Sequence, residues 1–414
     1  MLRSMNAGVS GLRSHQAMMD VVGNNIANVN TTGFKSSSVS FTDLFSQMVR
    51  GSGSPTPERA GSNPAQVGLG VKVAGISTNF AQGASQLTGR STDISIQGDG
   101  FLLAKSGGET YFTRNGNLQV DVNGSMSTID GAYIQGWQAN TNGVINTAAT
   151  VTNIEIPITQ IVEPQQTSNI VLNGNLESTR ALGDVVNTQI KTYDSEGRSL
   201  NVLLSITRTA ANVWSVQPRN GDDNSVIGAA QAITWNPGTN SWSPTVTIAA
   251  VALNASNPAP LATRNFNGAI TLDFSTVTQF GGATSVAAST QDGYQQGALQ
   301  AFSIGIDGTV SGSFTNGQTR VLAQLALAAF NNPGGLEKVG GSLFRQSINS
   351  GLAQIGVADG ANRGLLSGGT LEMSNVDLAQ EFTNLIIAQR GFQANSRIIS
   401  ASDELLQDLV NIKR

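Results

Sequence analysis

At 414 residues the chain exceeds one ordinary domain, so two or three are expected. Charged residues make up only 12%, about half of the ~25% usual in soluble proteins. The formal net charge of −4 leaves neither the basic footprint of a nucleic-acid binder nor an acidic tail. Absence of cysteine removes disulfides, thiolate catalysis and zinc–sulfur sites together, and suits a chain that is exported unfolded and must not cross-link. The start, Met1-Leu2-Arg3-Ser4-Met5-Asn6, has no apolar core of a secretory signal. The most apolar run, Val321 to Phe330, is interrupted by Gln324 and too short to span a bilayer, so no membrane insertion is expected.

Along the first 30 residues Leu2, Met5, Val9, Leu12, Met19 and Ile26 recur at a three-four spacing, which predicts a heptad-like helix. Gln16 and Gly23 fall on two seam positions and weaken it. The helix should end in the Asn-rich run 24–33, whose short polar side chains compete with the helical backbone. Residues 31–84 form a Ser/Gly/Pro-rich linker that includes Ser52-Gly53-Ser54-Pro55-Thr56-Pro57. Within it only Phe41 to Val49 could hold a helical turn or two; the remainder reads as extended.

From about residue 85 the pattern turns to β. Asn-Gly at 115, 123, 142, 173, 220, 267 and 316 and Asp-Gly at 99, 130, 292, 307 and 359 punctuate short alternating runs, as hairpins require. Residues 145–285 are richer in Ala, Thr and Val, with Trp214, Trp235 and Trp242, and read as a second β domain inserted into a middle β domain of 85–144 with 286–374. A last helix follows, capped by Asn375 or Asp377. One of its rows, Leu378, Leu385, Phe392, Ile399 and Leu406, is wholly apolar; its companion, Phe382, Gln389, Ser396, Asp403 and Val410, is polar in the middle. The fold class is therefore mainly β, with a two-helix, coiled-coil-like domain made by residues 1–30 and 375–414.

Catalytic constellations are weak. His15 is the only histidine and reads as a helix-surface residue, since no G-x-S-x-G elbow accompanies it. Gly68-Leu69-Gly70 and Gly98-Asp99-Gly100 do not complete a phosphate-binding loop and read as turns. Asp121 to Gly124 and Asp194 to Gly197 have calcium-loop flavour but lack the later bidentate Glu, and read as hairpin tips. No catalytic, metal or cofactor residue is assigned, and an enzyme is not expected. Apolar stripes at helical spacing usually pack into a core. Here they lie at opposite chain ends, beside abrupt composition changes, with polar residues in their seams, which favours packing between molecules.

Those same ends carry a family resemblance. Residues 23–35, GNNIANVNTTGFK, resemble the N-terminal motif of bacterial flagellar rod and hook proteins, and SNVDLAQEFTNLIIAQRGFQANSR within 374–409 resembles their C-terminal motif. The motif positions are Asn24, Asn25, Ala27, Asn28, Thr32, Gly33 and Phe34, then Asn375, Val376, Asp377, Gln389, Arg390, Gln393 and Asn395. Gly98 to Leu102 and Tyr111 to Asn117 are similar to both branches of that family, whereas 292–317 and 320–336 resemble the hook branch. The distal rod protein, kept as the alternative, is expected to be shorter, lacking the insert.

The resemblance implies a self-assembling subunit of a hollow, bendable tube that transmits motor torque. Its helices would line the bore, its middle domain form the wall and its insert face outward. Implied partners are further copies of itself, a distal rod protein, a hook cap protein, a hook–filament junction protein and the type III export apparatus. The implied location is the flagellum, outside the cell after export. The apolar rows would supply fixed packing, Gln389, Ser396 and Asp403 would face the channel or a polar interface, and both ends would order only on assembly.

Overall fold

The computed structural model describes residues 2–55, 60–140, 143–158, 161–249, 266–360 and 362–412. Met1, Thr56, Pro57 and Asn142 lie outside the described residues, as do the side chains of Leu2 and Val410. Two compact units emerge: Met1–Pro157 with Phe302–Gly312 and Arg320–Arg414, and Ile158–Ala301 with Ser313–Thr319. The expected insert of 145–285 thus differs from the second unit. The compositional change starts early, because Thr152–Asn153 still pairs with the strand Tyr133–Gln138, and Ile154 and Ile156 are wholly buried.

The fold is mainly β with a helix at each end: α1, Leu2–Ala27, and α2, Leu378–Ile412. Asn28 ends α1 by donating its Nδ2 to the Asn24 carbonyl at 2.9 Å, the local competition expected of short amides. Asp377 caps α2: its Oδ1 accepts the backbone N–H of Ala379 at 2.9 Å and of Gln380 at 3.2 Å.

Within the segment expected to be extended, residues 37–50 and 65–78 pair as strands. They make a two-stranded arm of β1 (Ser37–Asp43), β2 (Ser46–Arg50), β3 (Ala65–Gly68) and β4 (Val71–Thr78), with β1 antiparallel to β4 and β2 to β3. The helical turn expected between Phe41 and Val49 is corrected to strand. Val39 and Phe41 alternate with Ser38, Ser40 and Thr42, a period of two, and each segment finds an antiparallel partner. The base of the arm touches α1, where the Ser10 Oγ accepts the Val71 N–H at 3.3 Å.

The β body of the first unit is built on a hairpin, Phe101–Ser106 with Glu109–Thr113, turned by Gly107 and Gly108. The apolar run 321–330 is its centre. Leu327–Ala329 pairs with Phe101–Leu102 on one side and with Gln354–Gly356 on the other, and Leu322 to Phe330 are all buried. Gln324 is tolerated there because its Nε2 donates to the Asp307 carbonyl at 3.0 Å. Phe101, Phe112, Trp137, Phe330 and Phe344 form the core, with Phe112 edge-on to Phe330 at 4.8 Å.

The second unit is a sandwich. A five-stranded meander, Val185–Tyr193 through Ser241–Ser243, and a four-stranded sheet that includes Asn169–Asn175 and Ile270–Thr278 share one apolar cluster around Trp214. Strict alternation marks the strand Val213–Asn220, whose Trp214, Val216, Pro218 and Asn220 are buried. Asp121 and Asp194 sit at hairpin tips, each accepting two backbone N–H groups of its own turn.

Candidate self-assembly surface and its buried junction

α1 and α2 run antiparallel and meet through small residues. A Cβ built on Gly8 would lie 3.3 Å from Ile399, one on Gly11 would lie 2.7 Å from the Asn395 amide, and one on Gly391 would lie 2.5 Å from the His15 ring. Ser14, Ala388 and Ser402 are buried along these same helices. Backbones can approach this closely only where side chains are this short. His15 is therefore not a surface residue, as expected from sequence, but a seam residue. Among the described residues its Nδ1 is buried without a hydrogen-bond partner, and its ring lies 6.0 Å from that of Phe41.

This seam coincides only in part with the heptad rows, which reach it at Ile399 beside Gly8. Met5, Val9, Leu12, Met19 and Ile26 are half-buried, as are Leu385, Ile399 and Leu406. Leu378, Phe382 and Phe392 are exposed. With Ile386 at 52%, Ile387 at 53%, Ile398 and Leu405 they leave apolar side chains exposed among the described residues in two stripes: Leu378, Phe382, Ile386 and Phe392 fall on one side of α2 by helical spacing, and Ile387, Ile398 and Leu405 on the opposite side. Gln16, Gly23, Gln389, Arg390, Gln393, Ser396 and Asp403 are exposed too.

Where the helices enter the β body, the motif residues work through buried hydrogen bonds. Asn25 is 1% exposed; its Nδ2 donates to the Ser37 carbonyl at 2.8 Å and to Glu381 Oε1 at 3.0 Å, and its Oδ1 accepts the Ser37 N–H at 3.0 Å. One amide thus ties the end of α1 to the start of β1 and the first turn of α2. Asn375 does not cap α2. Its Oδ1 accepts the Ser36 N–H at 2.8 Å, and its Nδ2 donates to the carbonyls of Asn79 and Ala81. Thr32 donates to Asn115 Oδ1 at 2.9 Å. Gly33 adopts φ +67° and lies within 2.9 Å of the Arg114 backbone where a Cβ would stand, so the turn and the close approach both require glycine.

Beneath them lies a charged cluster that the sequence expectations do not contain. Lys35 Nζ donates to Glu372 Oε1 at 2.6 Å and to the Ala81 carbonyl at 2.8 Å, and both side chains of that ion pair are buried. Glu372 Oε1 also accepts the Gly83 N–H, its carbonyl accepts the Gly33 N–H, and its Oε2 lies 3.6 Å from Arg114 Nη1. Arg114 in turn donates Nη2 to the Gly98 carbonyl at 2.8 Å. Burial holds the Lys35 ammonium below its ordinary pKa, opposed by the hydrogen bond and charge of Glu372; burial likewise lowers Arg114. One carboxylate thereby joins both helix connections to the hairpin region. Lys35 ends the N-terminal motif and Arg114 lies in the stretch Tyr111 to Asn117, which was the available signal. Glu372 lies just ahead of the C-terminal motif, and nothing local marks it.

Among the described residues no group of acidic and His side chains could hold a metal ion, and no helix is long and apolar enough to cross a membrane.

Comparison with known proteins adds four family matches. They are described as flagella basal body rod protein (5–35), flagellar hook protein FlgE/F/G D1 domain (95–176), flagellar basal body protein FlaE D2 domain (178–294) and flagellar basal body rod FlgEFG protein C-terminal (367–412). The chain is 38% identical to the flagellar hook protein FlgE of Borreliella burgdorferi, over 100% of both chains. It is 35% identical to FlgE of Escherichia coli over 99% of this chain and 100% of that one. A flagellar basal-body rod protein, FlgG of Bacillus subtilis, is 30% identical over 100% of both chains. The crystal structure of Helicobacter pylori FlgE2 shares the fold, with a TM-score of 0.56 at 13% identity over 70% of this chain and 100% of that one.

Proposed function

Because this chain belongs to the bacterial flagellar hook protein family, we infer that it is a structural subunit of the flagellar hook. It assembles with copies of itself into a hollow, flexible helical tube that joins the basal-body rod to the filament and transmits torque. The observation that carries this reading is the apolar surface exposed on two sides of α2, with Phe382 and Ile386 on one and Ile387 and Leu405 on the other, each about half exposed or more. Burying one such side chain fully stabilises by roughly 1.5–3 kcal/mol, so neighbours that cover several of them gain enough to offset the entropy of association. Contacts between different faces of identical chains propagate a helix when they do not close a ring.

The self-assembly residues proposed for this role are Met5, Val9, Leu12, Met19 and Ile26 on α1 and Leu378, Phe382, Leu385, Phe392, Ile399 and Leu406 on α2. The proposed domain division keeps 1–30 with 375–414 as the inner helical part. The exposed Gln389, Ser396 and Asp403 suit a wet bore for passing chains. Proposed partners beyond further copies are the distal rod protein, hook cap protein, hook–filament junction protein and type III export apparatus. The cysteine-free composition suits that last route. The role is mechanical and not catalytic.

Electron microscopy of the purified full-length protein tests this. Curved tubes are expected, and removal of residues 1–30 or 375–414 should leave a soluble monomer. A full-length protein that stays monomeric under all assembly conditions contradicts it. The Bacillus subtilis relative supports a second reading, a rod subunit, though at lower identity than the hook relatives. Short straight rods in place of curved tubes would favour it.

A further inference from the structure

The β body of the first unit carries a cavity of about 330 Å³ on its surface, near the small end of the range for specific binding pockets. Phe80, Phe101 and Phe330 line it, set edge-to-face with Phe80–Phe101 at 5.6 Å and Phe101–Phe330 at 5.8 Å. Arg114 also lines it and is 2% exposed; among the described residues its Nε and Nη1 are buried without a hydrogen-bond partner, Nη1 lying 3.6 Å from Glu372 Oε2 as an ion pair, and its guanidinium lies 5.4 Å from the Phe101 ring centroid. Exposed amides of Asn331 and Gln354, hydrogen-bonded to each other at 3.0 Å, lie at the edge.

This lining selects its occupant. An anion is disfavoured, because Glu372 already lies 3.6 Å from Arg114 and a second carboxylate, Asp99, lines the cavity. A neutral aromatic ring meets both preferences of the site: edge-to-face packing on the three phenylalanines, and a guanidinium against its π face. The chain itself offers such a ring. Phe45 is 88% exposed, against 55% for Phe280, the next most exposed phenylalanine among the described residues. It lies between β1 and β2, where its carbonyl accepts the Leu69 N–H at 3.2 Å and fixes the backbone. A ring held out on ordered backbone costs little further entropy when it docks.

We propose that this cavity is the socket for Phe45 of a second copy of the chain, a contact between unlike surfaces of identical subunits. The inference rests on the polymerising subunit described above and adds the pair of surfaces that meet. Phe45 is the anchoring side chain, the phenylalanines and Arg114 receive it, and Asn331 and Gln354 are placed to hydrogen-bond the extended backbone beside it.

The cysteine-free chain gives a clean test by disulfide trapping. A double variant, Phe45→Cys with Gln354→Cys, is assembled, oxidised and run on a denaturing gel without reductant. A ladder of linked subunits is expected from the polymer, and none from either single variant or from unassembled monomer. Phe45→Ala should raise the critical concentration for polymerisation by about tenfold or more, while Phe45→Tyr stays near the original value. Polymers that form normally with Phe45→Ala and give no ladder overturn the socket alone. A disulfide that forms within the monomer overturns it as well, by showing that the ring meets the cavity of its own chain. A wild-type protein that never polymerises overturns the socket together with the hook reading.

Discussion

Between the two sheets of the second unit, Leu204, Trp214, Val216 and Leu272 are wholly buried, each large side chain matched by another. Along α1 and α2 the arrangement is inverted. Gly8, Gly11, Ser14, Ala388 and Gly391 lie in or along the seam, while Phe382, Ile386 and Leu405 lie largely in solvent. A sandwich that keeps its large apolar residues inside is complete as a single chain. A helix pair that spends its small residues on the internal contact and leaves the large ones outside has more apolar surface to bury than one chain can cover. The same hydrophobic effect thus closes one region and leaves the other open to association.

Substitutions can break this contrast, and the largest effect is expected at the charged junction that holds the open region to its β body. Replacing Glu372 by Ala strands Lys35 and Arg114 as buried cations and should destabilise the first unit by about 3–5 kcal/mol. Thermal unfolding should show this as a lowered transition in the first unit, with the sandwich transition unmoved. Trp214→Ala is the mirror case. It should cost about 3–5 kcal/mol in the sandwich alone, and tube formation below the sandwich's melting temperature should persist. Polymerisation lost in step with sandwich stability would contradict the independence of the two regions.

A smaller effect is expected in the seam. Gly11→Leu forces a side chain into the Asn395 amide, and about 1–3 kcal/mol of helix-pair stability should be lost. Amide exchange of the α1 backbone should accelerate accordingly; unchanged exchange would mean that the close contact with α2 does not hold α1 in solution. The smallest effect concerns pH. Because the folded pKa of Lys35 lies below its ordinary value of 10.5, the unfolded chain binds the proton more strongly in the window between the two. Its contribution to stability should therefore rise with pH through that window and level off above 10.5. Denaturant unfolding across pH 8–10.5 measures the slope, and Lys35→Met should flatten it.

Much of this was legible beforehand because it is local. The Asn-Gly and Asp-Gly turns announced a β body, the three-four spacing announced both helices, and Asp377 stood where a cap belongs. The seam was not legible, because heptad logic looks for large apolar residues at the contact. Gly8, Gly11 and Gly391 mark this one by having almost no side chain. Gln16 and Gly23, which seemed to weaken a buried stripe, are simply exposed. The arm of β1–β4 was obscured by its Ser, Gly and Pro content, although Val39 and Phe41 alternate as a strand should. The junction was hidden for a different reason: Lys35 and Glu372 are separated by 337 positions, and only the fold brings them to 2.6 Å.

The central claim is that the exposed apolar side chains on the two sides of α2 serve association and not the stability of the single chain. The direct test is electron microscopy of the triple variant Phe382→Gln, Ile386→Gln and Leu405→Gln, after confirming by circular dichroism that the monomer melts as the unaltered protein does. The account predicts a normally folded subunit that forms no tubes. Tubes indistinguishable from those of the unaltered chain would contradict it.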